Sequence, residues 1–178
     1  IMLEMTIGIE HFSKVHLLSI LQQNNIDPYD VVEEYMNQLE ESNFEQLQHD
    51  LWKNSGSLYC GNLYAKYIDD QNKRCPVWAF LEMISFGQYL YFYKYCIEVL
   101  KNTGNTEITE RLYLMYTVKS LRNACAHNNC IINDINSTHN KRINADLQRE
   151  CTKFIKSPSS RRRHLGHIST YQILTTMY

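Results

Sequence analysis

Apolar residues in this chain recur at intervals of three and four, the spacing that lays one stripe along a helix. No apolar run alternates with polar residues for long enough to be a half-buried strand. Residues 1 to about 23 place Leu3, Ile7, Phe12, Val15, Leu18 and Leu21 on nearly every side, which predicts a central helix with Glu10 and His11 as polar exceptions. Asp27 as N-cap and Pro28 at the first helical position open a second helix through Val32, Tyr35, Met36 and Leu39. Phe44, Leu47 and Leu51 mark a third. From Lys53 to Cys75 the pattern is less regular, with Gly56, Gly61 and a polar run, Asp69 to Arg74, that reads as a solvated loop.

Pro76 starts a further helix whose Val77, Phe80, Leu81 and Ile84 share one face, and Gly87 interrupts or ends it. Tyr89 to Leu100 follows, dense in aromatic residues. These can stack on bases, or they can form an ordinary core edge, the commoner role of tyrosine. Asn102 to Asn105 is a turn, and Glu107 begins a helix on which Leu114, Val118, Leu121 and Cys125 form an apolar stripe. Asn128 to Asn140 reads as a polar loop tethered by Ile131, Ile132 and Ile135. Lys141 to Lys156 returns to helix through Ile143, Leu147, Cys151 and Phe154. A basic loop with Arg161, Arg162 and Arg163 and a last amphipathic stretch through Ile168, Tyr171 and Leu174 complete the chain. The expected architecture is all-α, with about six to eight helices.

Composition narrows the function. The 178 residues fit one domain, and 44% hydrophobic residues can supply its core. With 18 basic and 19 acidic residues, the formal net charge of −1 supplies no global field for nucleic acid, so any RNA-binding surface must be a local patch. Six scattered cysteines read as reduced thiols of a cytoplasmic protein, not as a disulfide framework. No apolar run is long enough to span a membrane. The chain opens on Ile1 and both ends resemble mid-helix sequence, so additional N-terminal sequence is expected to be missing.

The chemistry lies at the end of the helix that Glu107 begins. Arg122, Asn123 and His127 stand off its apolar stripe. Guanidinium matches phosphoryl oxygens in bidentate fashion, and imidazole moves protons near neutral pH. The spacing alone is not diagnostic, because it recurs at Arg162 and His167 without the helix or the Asn. The plain structural alternative makes His127 a helix C-terminal cation and pairs Arg122 with an acid. Cys125, His127 and Cys130, with His139 and Cys151, superficially resemble zinc ligands. No C-x2-C pair exists, however, and residues two apart on a helix point about 200° apart, so no metal is expected. The same geometry argues against a Cys125–His127 nucleophile pair, and neither phosphate-loop nor nucleophile-elbow motifs occur.

Pro76-Val-Trp78-Ala-Phe-Leu-Glu-Met-Ile-Ser85-Phe86-Gly87, followed by Leu121-Arg122-Asn123-Ala-Cys125-Ala126-His127, resembles the Abi-like (abortive infection) family of bacterial proteins. The segment Ile9-Glu10-His11-Phe-Ser-Lys14 resembles that family's early helix. The resemblance implies a HEPN-like helical bundle, in which an Arg-Asn-x3-His motif belongs to metal-independent endoribonucleases that often pair two motifs across a homodimer. It makes Arg122 and His127 the catalytic candidates, with Asn123 beside them and Glu10 and His11 in support, the latter two orienting Arg122. Lys119 and Arg161 to Arg163 are the candidate RNA-binding cations. No cofactor is implied. The partners implied are RNA, a second copy completing a composite site, and an antitoxin RNA or protein. The class also contains non-catalytic RNA- or protein-binding modules, so a binding role stands as the alternative.

Overall fold

The computed structural model describes residues 2–69, 74–101, 109–127, 152–153 and 156–159. The described residues form seven α-helices, one 3-10 turn and no strand, as an all-α chain requires. The helices are α1 (Met2–Gln23), α2 (Asp30–Asn37), α3 (Glu41–Lys53), α4 (Cys60–Tyr67), α5 (Val77–Met83), α6 (Phe86–Lys101) and α7 (Thr109–Ala126), with the 3-10 turn Asn54–Gly56 between α3 and α4. The chain divides into two compact units, Glu10–Leu112 and Ile1–Ile9 with Tyr113–Tyr178. The predicted elements after Asn128, from the polar loop to the last amphipathic stretch, lie outside the described residues apart from a few positions, as does the turn at 102–105.

The unit Glu10–Leu112 is built around α6. Tyr89, Leu90, Phe92, Cys96 and Leu100 on this helix have no exposed surface. Tyr35 of α2, Phe80 of α5 and Phe92 of α6 form an edge-to-face triad, with centroid separations of 6.1, 5.1 and 5.1 Å. Such pairs contribute about 0.5–1.5 kcal/mol each beyond the apolar area they bury. The Val77 amide donates to the Pro28 carbonyl at 2.8 Å, tying the start of α5 to the entry of α2. Most of the aromatic run in α6 is therefore core; Tyr91, 59% exposed, is the exception.

Helix α1 departs from expectation. It is not buried all round: Ile7, Phe12 and Val15 are 49, 71 and 48% exposed. Its inner stripe runs through Thr6, Glu10, Ser13, Leu17, Ile20 and Leu21, at helical intervals of three and four. Three members of that stripe are polar, and two of them satisfy their hydroxyls on the helix itself. Thr6 Oγ1 donates to the Leu3 carbonyl at 2.9 Å and Ser13 Oγ to the Glu10 carbonyl at 2.8 Å. The helix ends with Asn25 at φ 56°, the left-handed conformation asparagine tolerates, while the Ile26 amide reaches back to the Leu21 carbonyl at 3.0 Å.

Other boundaries follow from local chemistry. Asp27 Oδ1 accepts from the amides of Tyr29 and Asp30 at 2.8 and 2.9 Å, so it caps the turn that leads into α2, which begins at Asp30. Those two amides hold its carboxyl below the usual range. The stretch Lys53 to Cys75, expected to be irregular, contains α4. Ser57 Oγ accepts from the amides of Tyr59 and Cys60 at 3.3 Å and opens that helix. A Cβ on Gly61 would stand 2.6 Å from the Ser55 carbonyl oxygen, so glycine is what lets α4 fold back onto the 3-10 turn. Arg74, expected in a solvated loop, is fastened to α2 through Asp30 and through Glu33, at 2.7 Å from Nε. The break between α5 and α6 falls at Ile84, which is extended, with Ser85 Oγ accepting from the Gln88 amide. Gly87 lies inside the first turn of α6 and does not end α5.

Candidate functional site

Helix α7 buries Met115, Val118 and Leu121, which are at most 5% exposed, while Cys125 is half-buried. At 100° per residue, Arg122 lies about 60° from the mean direction of the Val118–Leu121–Cys125 stripe, and His127 lies on the opposite side of the axis. Burial follows this rotation: Arg122 and Asn123 are half-buried and His127 is exposed. Lys119 and Asn123 occupy the arc between them, so all four polar residues share one side of the helix end.

Asn123 touches both partners. Arg122 Nη1 donates to Asn123 Oδ1 at 3.2 Å, and the His127 amide donates to the Asn123 carbonyl at 3.0 Å. The side chain of Asn123 therefore accepts from the guanidinium, while its backbone carries the helical ladder one residue past Ala126 to the His127 amide. This gives asparagine a role that a better helix former could not fill. Its short carboxamide meets the neighbouring arginine without leaving helical geometry.

Glu10 and His11 are placed on α1. Glu10 Oε1 pairs with Lys14 Nζ at 3.3 Å, one turn along, with both side chains largely buried. The same ammonium stands 5.8 Å from the centroid of Tyr89. The i, i+4 spacing of Glu10 and Lys14 is the sequence signal for this pair. Tyr89 is fully buried, its hydroxyl has no hydrogen-bond partner among the described residues, and burial raises its pKa well above the ordinary range despite the adjacent Ser13. His11 is exposed and meets Phe12 edge-on at 5.6 Å. Glu10 is thus engaged by Lys14, and Arg122 by Asn123. Arg161, Arg162 and Arg163 lie outside the described residues.

Among the described residues, no three His, Cys, Asp or Glu side chains gather as metal ligands would. Cys130, His139 and Cys151 are outside them. The four described cysteines, Cys60, Cys75, Cys96 and Cys125, are all free thiols. Burial pushes the Cys75 thiol up to about 12 and raises that of Cys96 further, which makes both poor nucleophiles. No described helix is long and apolar enough to cross a membrane.

Comparison with known proteins gives one positive result. No curated protein and no solved structure matches this chain. The family model described as Abi-like protein matches residues 1–133, a span that runs from the start of α1 through Arg122, Asn123 and His127. By that match, the chain belongs to the Abi-like protein family.

Proposed function

We propose that this protein is a metal-independent endoribonuclease of the HEPN type, acting as an antiviral or toxin–antitoxin effector through Arg122 and His127. Family membership itself suggests a role in abortive infection. The observation that carries the finer reading is Asn123, which engages the guanidinium of Arg122 and the backbone of His127 at an accessible helix end.

RNA brings its own nucleophile, so the protein must align the 2′-OH, move protons and balance charge on a pentacoordinate phosphorus. His127 takes the proton from the 2′-OH as its oxygen bonds to phosphorus. The bond to the 5′-oxygen then breaks, and the leaving oxygen receives a proton from a general acid. Arg122 binds the non-bridging oxygens, whose charge grows in the transition state. The products are a 2′,3′-cyclic phosphate and a 5′-OH. A single imidazole serves one side of an in-line displacement well and the other poorly. A second copy of the chain, bringing its own motif, supplies the missing acid in a homodimeric site. Lys119, on the same arc of α7, adds a cation for a flanking phosphate.

The test is a cleavage assay on purified protein in EDTA. Wild-type protein is expected to cleave single-stranded RNA to cyclic-phosphate ends, and His127→Ala to lose about 10²–10⁴ in rate. Undiminished cleavage by His127→Ala would remove the catalytic assignment. The half-burial of Arg122 favours a second reading, a binding module in which the pair is structural. Arg122→Ala separates the two. It abolishes cleavage while sparing the fold if the residue is catalytic, and lowers the unfolding midpoint without touching an activity if it is structural.

A further inference from the structure

Helix α3 carries Glu45, His49 and Trp52 at intervals of four and three, on a face turned to solvent. Its opposite face buries Leu47 and Leu51. A surface helix needs no tryptophan there, yet Trp52 is 60% exposed, with its ring stacked on His49 at 6.0 Å and 18° between planes. Across from this pair stands α4, brought back by the close approach of Gly61 to Ser55. Tyr64 on α4 and Asp69 just after it complete an open cavity of about 470 Å³ with Glu45, His49 and Trp52.

The chemistry of this cavity selects a cation. Trp52 and Tyr64 bring aromatic rings whose faces carry negative electrostatic potential, and two carboxylates, Glu45 and Asp69, stand at its wall. Among the described residues, neither lysine nor arginine lines it. Phosphate is disfavoured by the two acids, and a bare apolar side chain would make no use of their charge. A guanidinium answers both features, because its plane stacks on indole while its fork of N–H donors reaches carboxylates. We propose that this cavity is a docking site for an arginine side chain of a partner polypeptide. It involves neither Arg122 nor His127 and stands whether or not those residues cleave RNA.

The two tryptophans, Trp52 and Trp78, provide a built-in control. In a nitrogen-15 spectrum of the full chain, assigned with Trp52→Phe, the capped tripeptide acetyl-Gly-Arg-Gly-amide is titrated to about 100 mM. The Trp52 indole N–H is expected to shift saturably while that of Trp78 stays in place. The matching peptide with neutral citrulline is expected to leave both unmoved. The double variant Glu45→Gln, Asp69→Asn keeps the surface polar and the fold intact, and is expected to weaken binding by about fivefold or more. His127→Ala is expected to titrate as wild type does. An equal response to citrulline, parallel movement of Trp78, no shift at the highest concentration, or indifference to the double variant would each overturn the proposal. So would a shift of Trp52 on adding a single-stranded oligoribonucleotide, which would make the cavity a base-stacking site.

Discussion

In the proposed site, Asn123 is the residue with the most specific contact. A helix interior disfavours asparagine, and what it gains here is a carboxamide oxygen 3.2 Å from the Arg122 guanidinium. Arginine has four rotatable bonds and loses entropy whenever it is held, so a neighbour that holds it in advance lowers the cost of meeting a phosphate. Asn123→Ala is therefore expected to slow RNA cleavage about tenfold, the effect of roughly 1.4 kcal/mol on the barrier, with little change in the unfolding midpoint. Asn123→Asp, which still offers an acceptor oxygen, is expected to recover part of that loss. A cleavage series over wild type and both variants checks it, and equal rates throughout would leave Asn123 without a positioning role.

At the scale of elements, α1 shows how far side-chain character misleads when hydroxyls satisfy themselves. Leu17 is fully buried and Phe12 is 71% exposed, although both are apolar and both lie in the middle of the same helix. Leu17→Ala is expected to cost about 2–5 kcal/mol and Phe12→Ala no more than about 0.5 kcal/mol, read from urea unfolding midpoints. A second element, α4, depends on the absence of a side chain. Gly61→Ala puts a methyl 2.6 Å from a backbone oxygen that cannot swing away, and is expected to destabilise by about 1–3 kcal/mol in the same assay. Periodicity left α4 unforeseen within the irregular stretch Lys53 to Cys75, and the close approach that requires Gly61 joins residues whose separation in space the sequence does not state.

For the whole molecule, the buried titratable groups set an alkaline limit. Burial pushes the Tyr35 hydroxyl up to about 12 from an ordinary 10, and the Cys75 thiol up to about 12 from an ordinary 9. Above their ordinary values, both groups keep their protons when folded and lose them when unfolded. Their contribution is therefore complete below about pH 9 and is lost as pH rises toward 12. Urea midpoints are expected to hold between pH 7 and 9 and then fall steeply, with Tyr35→Phe removing part of the slope.

Much was decided by sequence alone, because the cause is local. Helical periodicity named an all-α chain, Pro76 and Asp27 marked helix entries through their own backbone chemistry, and the i, i+5 pair Arg122 and His127 sat at a helix end whatever packed around it. The match to the Abi-like family covers the residues that suggested it. Tertiary structure decided what depends on distance between remote residues. It chose which face of α1 is inner, placed Arg74 on Asp30 and Glu33 and closed the aromatic triad of α2, α5 and α6. It also set α4 opposite Trp52. Hydrophobic burial is not directional, so a one-dimensional pattern shows that a stripe exists; only packing selects the partner that covers it.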